Sequence, residues 1–209
     1  MPIDADKARG ASLPDGEGSY DQDDVILYHL GVGAGVPATD PGELEYTYEK
    51  NLKVLPSFAV IPAFGSMGGL GNVPGLQFNF AMLLHGEQEV ILHKPLPSAQ
   101  KLKTSARISE IYDKGKAALV ILESVAKDEQ DEPLFTNRFS LFIRGEGGFG
   151  GDSGPKAGNK PPDREPDGKV ISMKRTVPFA LLLTWLAGGI RCSGSWIRTR
   201  RATGSSTSR

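Results

Sequence analysis

Four apolar-rich segments of period two, at residues 87–93, 101–112, 117–125 and 134–144, most constrain what this chain can fold into. Each is rich in Val, Ile, Leu and Phe, whose branched or aromatic side chains suit a pleated surface. Turn signals separate them: Pro95-Leu96-Pro97-Ser98, Asp113-Lys114-Gly115-Lys116, and the charged run Lys127-Asp128-Glu129-Gln130-Asp131-Glu132. Connections this short imply that consecutive strands are antiparallel neighbours. A sheet with one apolar face needs a cover, and the helix-compatible material lies ahead of it in the chain. That layout is α+β.

Upstream, Ser19-Tyr20-Asp21-Gln22 reads as a capping box with Ser19 as N-cap. Val25, Ile26, Leu27 and Leu30 then suit a short helix stopped near Gly31. Residues 44–50 alternate weakly and read as a strand. Residues 55–64 are apolar but short and bracketed by prolines, so periodicity leaves helix and strand both open. Residues 65–75 read as a glycine-rich connector. Residues 145–162 turn to Gly, Pro, Ser, Lys and Asn, the composition of a flexible linker.

Composition excludes several function classes. A net charge of -1 over 209 residues gives no general attraction to nucleic acid or to an anionic membrane. The distribution is uneven: residues 1–168 carry 16 basic and 25 acidic groups, whereas residues 169–209 carry eight basic groups and no acidic one. The chain is an acidic domain with a basic tail. The single Cys192 rules out an intrachain disulfide framework and a cysteine metal cluster, which points to a reducing compartment and to no metal or cofactor. The start, Met1-Pro2-Ile3-Asp4, lacks the apolar region of a signal peptide. The apolar run from Val177 to Leu186 falls short of the roughly 18 residues of a membrane span.

Two glycine clusters invite a nucleotide reading and fail it. Gly31-Val32-Gly33-Ala34-Gly35 follows a helix rather than a strand and lacks the third glycine of a dinucleotide fingerprint, and Gly147 to Gly151 lacks the Gly-Lys-Ser/Thr of a phosphate loop. His85 is one of three histidines, with His29 and His93, and a lone histidine before a strand is more often structural than catalytic. Lys114 sits in a tight turn, where an ammonium meets a phosphate without a burial cost.

Taken in order, Leu84-His85-Gly86-Glu87-Gln88, His93-Lys94-Pro95-Leu96-Pro97, Asp113-Lys114-Gly115, Phe139-Ser140-Leu141-Phe142 and Gly147 to Gly151 resemble a known family. It is the N-terminal half of the two-hotdog (R)-specific enoyl-CoA hydratases, the MaoC-like family that includes the hydratase part of peroxisomal multifunctional enzyme type 2. The resemblance runs from Ser19 to about Asp167. It implies a hotdog, an antiparallel sheet wrapped around a helix, as the single N-terminal repeat of a double hotdog. The implied organisation is an extension at 1–18, the hotdog at 19–145, a linker at 146–168 and, at 169–209, a truncated, disordered basic tail in place of the catalytic hotdog.

The resemblance also implies roles. His85 and Gly86 match positions lining the acyl-CoA pocket, and Lys114 matches a residue that contacts CoA. The implied reaction is reversible addition of water to a trans-2-enoyl-CoA in fatty-acid or sterol side-chain β-oxidation. The implied partners are an acyl-CoA or enoyl-CoA and a second hotdog, either a homodimer copy or a heteromeric subunit. The implied location is the cytoplasm in bacteria and the peroxisome in eukaryotic relatives.

Chemistry in that family needs an Asp and a His to orient and deprotonate water, carried by Gly-Asp-x-Asn-Pro-Leu-His. Here the segment from Ala180 to Gly188 approaches that motif, but the Asp position falls on Gly189 and the His position on Gly194. Glycine has no side chain to act as acid, base or water ligand. In the reading frame one base earlier, Gly189-Ile190-Arg191 and Trp196-Ile197-Arg198 can each encode Asp followed by Pro, which points to a misread gene, although the intervening His is not recovered. Two functional readings follow: a substrate-binding half without activity, or a subunit that pairs in trans with a catalytic hotdog. A third is a fragment that never folds productively. The purified chain is expected not to hydrate crotonyl-CoA or a longer trans-2-enoyl-CoA in a spectrophotometric assay; turnover above background that His85→Ala abolishes would overturn this expectation.

Overall fold

The computed structural model describes residues 3–155 and 197–201. Its centre is a sheet built from β1 (Gly16–Tyr20), β2 (Leu83–Leu92), β3 (Gln100–Asp113), β4 (Ala117–Lys127), β5 (Pro133–Arg144) and β6 (Ile197–Arg201), in the order β1-β3-β4-β5-β2-β6. The first five strands are antiparallel, and β6 pairs in parallel with Gln88–Leu92. The four expected strands are β2 to β5, each within a few residues of its sequence-derived span. Their period of two is visible as burial: Leu102, Thr104, Ala106 and Ile108 of β3, and Ala118, Val120, Leu122, Ser124 and Ala126 of β4, face the core.

One connection differs from the expected meander. β2 does not pair with β3; it pairs with β5, Leu84 opposite Phe142 and Leu92 opposite Phe135, while β3 lies between β1 and β4. Pro95 and Pro97 in the β2–β3 connection have no N–H to donate, so this segment cannot continue a ladder as a hairpin would. It crosses instead, held by Tyr20 Oη donating to the Pro97 carbonyl at 3.0 Å, with Leu96 buried.

The cover is helical, as the α+β layout requires, though its pieces differ in detail from the sequence reading. The helix expected before Gly31 is α2 (Gln22–Gly31), following the four-residue α1 (Ala5–Ala8). Its N-cap is Asp21, not Ser19. The Asp21 carboxylate accepts from the N–H groups of Asp23 and Asp24, and Asp24 closes the box by accepting from Asp21 N–H. Ser19 is two residues earlier, in β1, paired with Lys101; a carboxylate in the right place at 21 decides the start. Residues 44–50 are not a strand. Asp40 caps the short α3 (Pro41–Leu44), with proline at its first helical position, and turns follow.

The open choice at residues 55–64 resolves as a 3-10 turn at Pro56–Ala59 continuing into α4 (Val60–Ala63). The supposed connector after it is a 3-10 run, Phe64–Asn72, that buries Ser66 and Leu70. Glycine serves close packing here: a Cβ on Gly69 would lie 2.6 Å from Pro14 Cδ. Phe58, Ala59 and Ala63 pack with Val90, Leu102, Ala126 and Phe135 in one cluster, and Leu70, Val73 and Leu76 pack with Ile108, Leu122, Phe139 and Leu141 in the other. A curved antiparallel sheet around a helical segment is the hotdog architecture the resemblance implies.

Residues 3–18, which the sequence reading places ahead of the domain, contribute Ile3, Ala8 and Leu13 to the cluster of Leu70 and Ile108, and Ser12 bridges to Arg107. Residues 145–155, expected to be a flexible linker, pack back on the sheet. Phe149 lies against the core, and a Cβ on Gly147 would come within 2.5 Å of Ala117 N. Gly189, Gly194 and most of the tail lie outside the described residues; within the tail only the strand β6 is described.

One buried group ties the cover together. His29 of α2 is fully buried; its Nδ1 lies 2.7 Å from the Tyr46 carbonyl, and its Nε2 accepts from Leu55 N–H at 3.1 Å. The ring is therefore neutral with the proton on Nδ1, and burial holds its pKa below the ordinary 6.5. A depressed histidine pKa contributes stability that is complete above the unfolded value and is lost as pH falls through the folded one. Chemical denaturation should thus show stability falling as pH drops below about 6.5, with part of that slope absent in His29→Gln. His29→Ala, which orphans a carbonyl and an N–H, should cost about 2–3 kcal/mol at pH 8.

Candidate functional site

His85 lies near the start of β2, and a β-bulge at Gly86 decides where it points. His85 pairs with Leu141 and Glu87 with Ser140, leaving Gly86 as the extra residue. A Cβ at Gly86 would meet the Ser140 carbonyl at 3.3 Å, so the backbones approach closely only because this residue has no side chain. The bulge converts the two-residue alternation into a three-residue step, so His85 and Gln88 stand opposite Leu141 and Phe139 on the same inward face. The imidazole lies 5.9 Å from the Phe139 ring, and its Nε2 is buried without a hydrogen-bond partner. Burial pushes its pKa below the ordinary value; the Glu87 main chain and the Gln88 side chain oppose that shift without outweighing it. His85 is a neutral ring on an apolar floor.

Lys114 is presented by a turn with unusual anchoring. The Asp113 carboxylate accepts from three main-chain N–H groups, Gly115 at 2.7 Å, Gly148 at 2.9 Å and Gly150 at 2.8 Å. These N–H groups, Gly148 foremost, hold the Asp113 pKa below the usual carboxylate range. The β3–β4 turn and the glycine cluster are thereby one unit. Gly115, at φ +76°, supplies the left-handed conformation the turn needs. Lys114 Nζ is not bare: it donates to the main-chain carbonyls of Ser153 and of Pro155, the latter at 2.7 Å, and lies 6.0 Å from the centre of the Tyr112 ring.

The pairing register places both residues at one end of the sheet. Asp113 pairs with Ala118, Ala118 with Ile143 and Ile143 with Leu83. Three strand steps of about 4.8 Å separate Lys114 from His85 laterally, about 14 Å. The structure therefore aligns His85, Gly86 and Lys114 without bringing them into contact. An elongated ligand can span them; a small one cannot. The expected Asp and His positions, Gly189 and Gly194, lie outside the described residues.

Sequence reasoning missed two neighbours of His85. Gln88 and Asn137 are buried polar side chains on the inward face, joined by a bond from Gln88 Nε2 to Asn137 Oδ1 of 2.9 Å. Their signal was present: each is an amide at an inward position of an apolar strand. A surface depression between β1 and β3, lined by Glu17, Ser19, Lys101, Lys103 and Glu129, lies at the other end of the sheet. Its lysines are already paired, Lys101 with Glu129 and Lys103 with Asp131, each at 3.5 Å. Among the described residues, no helix is long and apolar enough to cross a membrane, and no group of three or more His, Cys, Asp or Glu is placed to hold a metal ion.

The sequence and the fold are similar to those of known proteins. The family model for the MFE-2 hydratase 2 N-terminal domain matches residues 19–145. Enoyl-CoA hydratase ChsH3 of Mycobacterium tuberculosis is 39% identical over 172 residues, covering 81% of this chain and 60% of that protein. Peroxisomal multifunctional enzyme type 2 of Mus musculus is 44% identical over 196 residues, covering 90% of this chain and 25% of that protein. The crystal structure of a MaoC-like dehydratase from Phytophthora Capsici superposes with a TM-score of 0.61 at 29% identity, covering 78% of this chain and 57% of that one. The chain spans less than two thirds of the length of each of these relatives. It belongs to the MFE-2 hydratase 2 N-terminal domain family, and its residues 19–145 form a MaoC-like hotdog.

Proposed function

We propose that this chain is the acyl-CoA-binding half of an (R)-specific 2-enoyl-CoA hydratase of β-oxidation and does not itself hydrate its ligand. The observation that carries the reading is the alignment of a neutral, half-buried His85 beside the Gly86 bulge with the cationic Lys114 at the same end of the sheet. The partly exposed Leu83 near His85 on β2 suits an acyl chain, and the turn ammonium suits a CoA phosphate. The chemistry needs an Asp and a His, and glycine stands where both are expected, at 189 and 194. In this reading residues 19–145 bind the ligand, residues 3–18 and 145–155 pack against them, and a basic tail spans 169–209. The existence of a bacterial and a peroxisomal relative supports a location in the cytoplasm of a bacterium or the peroxisome of a eukaryote.

A second reading, pairing in trans with a catalytic hotdog, is favoured by one observation. The cover helices leave large apolar side chains in solvent: Leu27 is 54% exposed, Leu30 49% and Ile61 53%, and Phe80 of the following segment 59%. We read these side chains as part of a face that another chain covers. Either a second copy or a different hotdog subunit fits it, and sedimentation at micromolar concentration should show a dimer or larger species. A stable monomer would remove this support.

Binding of a saturated, unreactive acyl-CoA such as decanoyl-CoA tests the first reading. Isothermal titration should show Lys114→Ala weakening binding by about two- to fivefold, as for an exposed ion pair worth up to about 1 kcal/mol. The difference should be largest at about 0.01 M salt and shrink toward about 1 M, where screening is short-ranged. Equal affinity of the two proteins at low salt would remove Lys114 from the site.

A further inference from the structure

A directed row of buried amides leads from the cover to His85. Asn137 is 0% exposed and Gln88 2%. Asn137 Nδ2 donates to the Ala59 carbonyl at 3.0 Å, and Gln88 Nε2 donates to Asn137 Oδ1 at 2.9 Å. A main-chain carbonyl only accepts, so Ala59 fixes the Asn137 amide with its NH2 toward the helical turn and its oxygen away. That oxygen in turn only accepts, which fixes Gln88 with its NH2 toward Asn137. The Glu89 carbonyl, 3.4 Å from the same Nε2, enforces the same orientation. Gln88 Oε1 is thereby turned to the opposite side.

Gln88 Oε1 and His85 Nε2 are both buried and both without a hydrogen-bond partner, and they belong to successive inward positions of β2 across the Gly86 bulge. Two orphaned buried polar atoms of one neighbourhood are costly apart and complementary together, provided the ring nitrogen carries the proton. Ser124 Oγ, which is also unpaired, belongs to the residue opposite Asn137 and supplies no step of the row.

We propose that Gln88 and Asn137 are positioning residues that hold His85 in the Nε2–H tautomer, so that the ring offers Nδ1 to a ligand as an acceptor. Burial favours the neutral ring that this requires. The consequence is specific: His85 receives a hydrogen bond from an N–H or O–H of the ligand and does not donate to a thioester carbonyl. This ligand preference rests on the acyl-CoA reading of the pocket. The tautomer does not, because it is measured with no acyl-CoA present.

The test is long-range proton–nitrogen correlation NMR on the full chain labelled with nitrogen-15 at histidine, at pH about 8, where a histidine ring is neutral. His29 is an internal reference of the opposite tautomer, since its Nε2 accepts from Leu55 N–H. The expected wild-type spectrum shows His85 as Nε2–H, and Gln88→Met and Asn137→Leu each shift it toward a mixture of the two tautomers. An Nδ1–H pattern in the wild type, which needs no variant to fold, overturns the inference. An Nε2–H pattern unmoved in folded Gln88→Met or Asn137→Leu also overturns it. Adding decanoyl-CoA separates the two layers: an absence of binding counts against the acyl-CoA reading while leaving the tautomer result standing, and conversion of His85 to Nδ1–H on binding overturns the inference.

Discussion

The carbonyl of Ala59, buried against Asn137, is the contact on which the two layers of this protein depend. Apolar side chains are non-directional and by themselves set no register between a helical cover and a sheet. The bond from Asn137 does set one. It holds the 3-10 turn carrying Phe58 and Ala59 at a single position over β5 and β2, and an orphaned amide there would cost about 1–3 kcal/mol. From that fixed point the amide row runs to Gln88 and to the edge of His85. Packing and site geometry are therefore one problem in this fold.

Departures from regular backbone supply the rest of the site. Without the bulge at Gly86, strict alternation would put Gln88 and His85 on opposite faces. Without the three N–H groups converging on Asp113, the turn carrying Lys114 and the glycine cluster would move independently. The carboxylate replaces ladder bonds that the chain gives up as it leaves the sheet. The outer face plays no such role. There Glu123 accepts from Arg107 and Arg138, each at 2.8 Å, a solvent-facing cross-strand set of the sort that keeps a sheet face wet.

Local rules read the sheet well because its strands are amphipathic with period two, and β3 and β4 lose almost nothing to context. They read the pairing of β2 poorly. Short connections favour neighbours, but Pro95 and Pro97 remove the donors a hairpin needs, and the choice of β5 as partner is a long-range matter. The glycine-rich stretch at 65–75 was misleading in another way. Its glycines serve close contacts, such as Gly69 on Pro14, that composition cannot distinguish from a loop. His85, Gly86 and Lys114 were legible only through the family resemblance, since a single histidine and a turn lysine carry little signal alone. Gln88 and Asn137 were legible in principle as amides at inward positions, and share a face with His85 only because the bulge brings its parity into line with theirs.

The proposed function requires an acyl-CoA to lie along the end of the sheet that carries His85 and Lys114. Backbone amide chemical-shift mapping with decanoyl-CoA tests it most directly. Saturable changes are expected at residues 83–88, 113–117 and 139–143. Changes confined to the depression around Ser19, Lys101 and Glu129, or no saturable change at all, would contradict it.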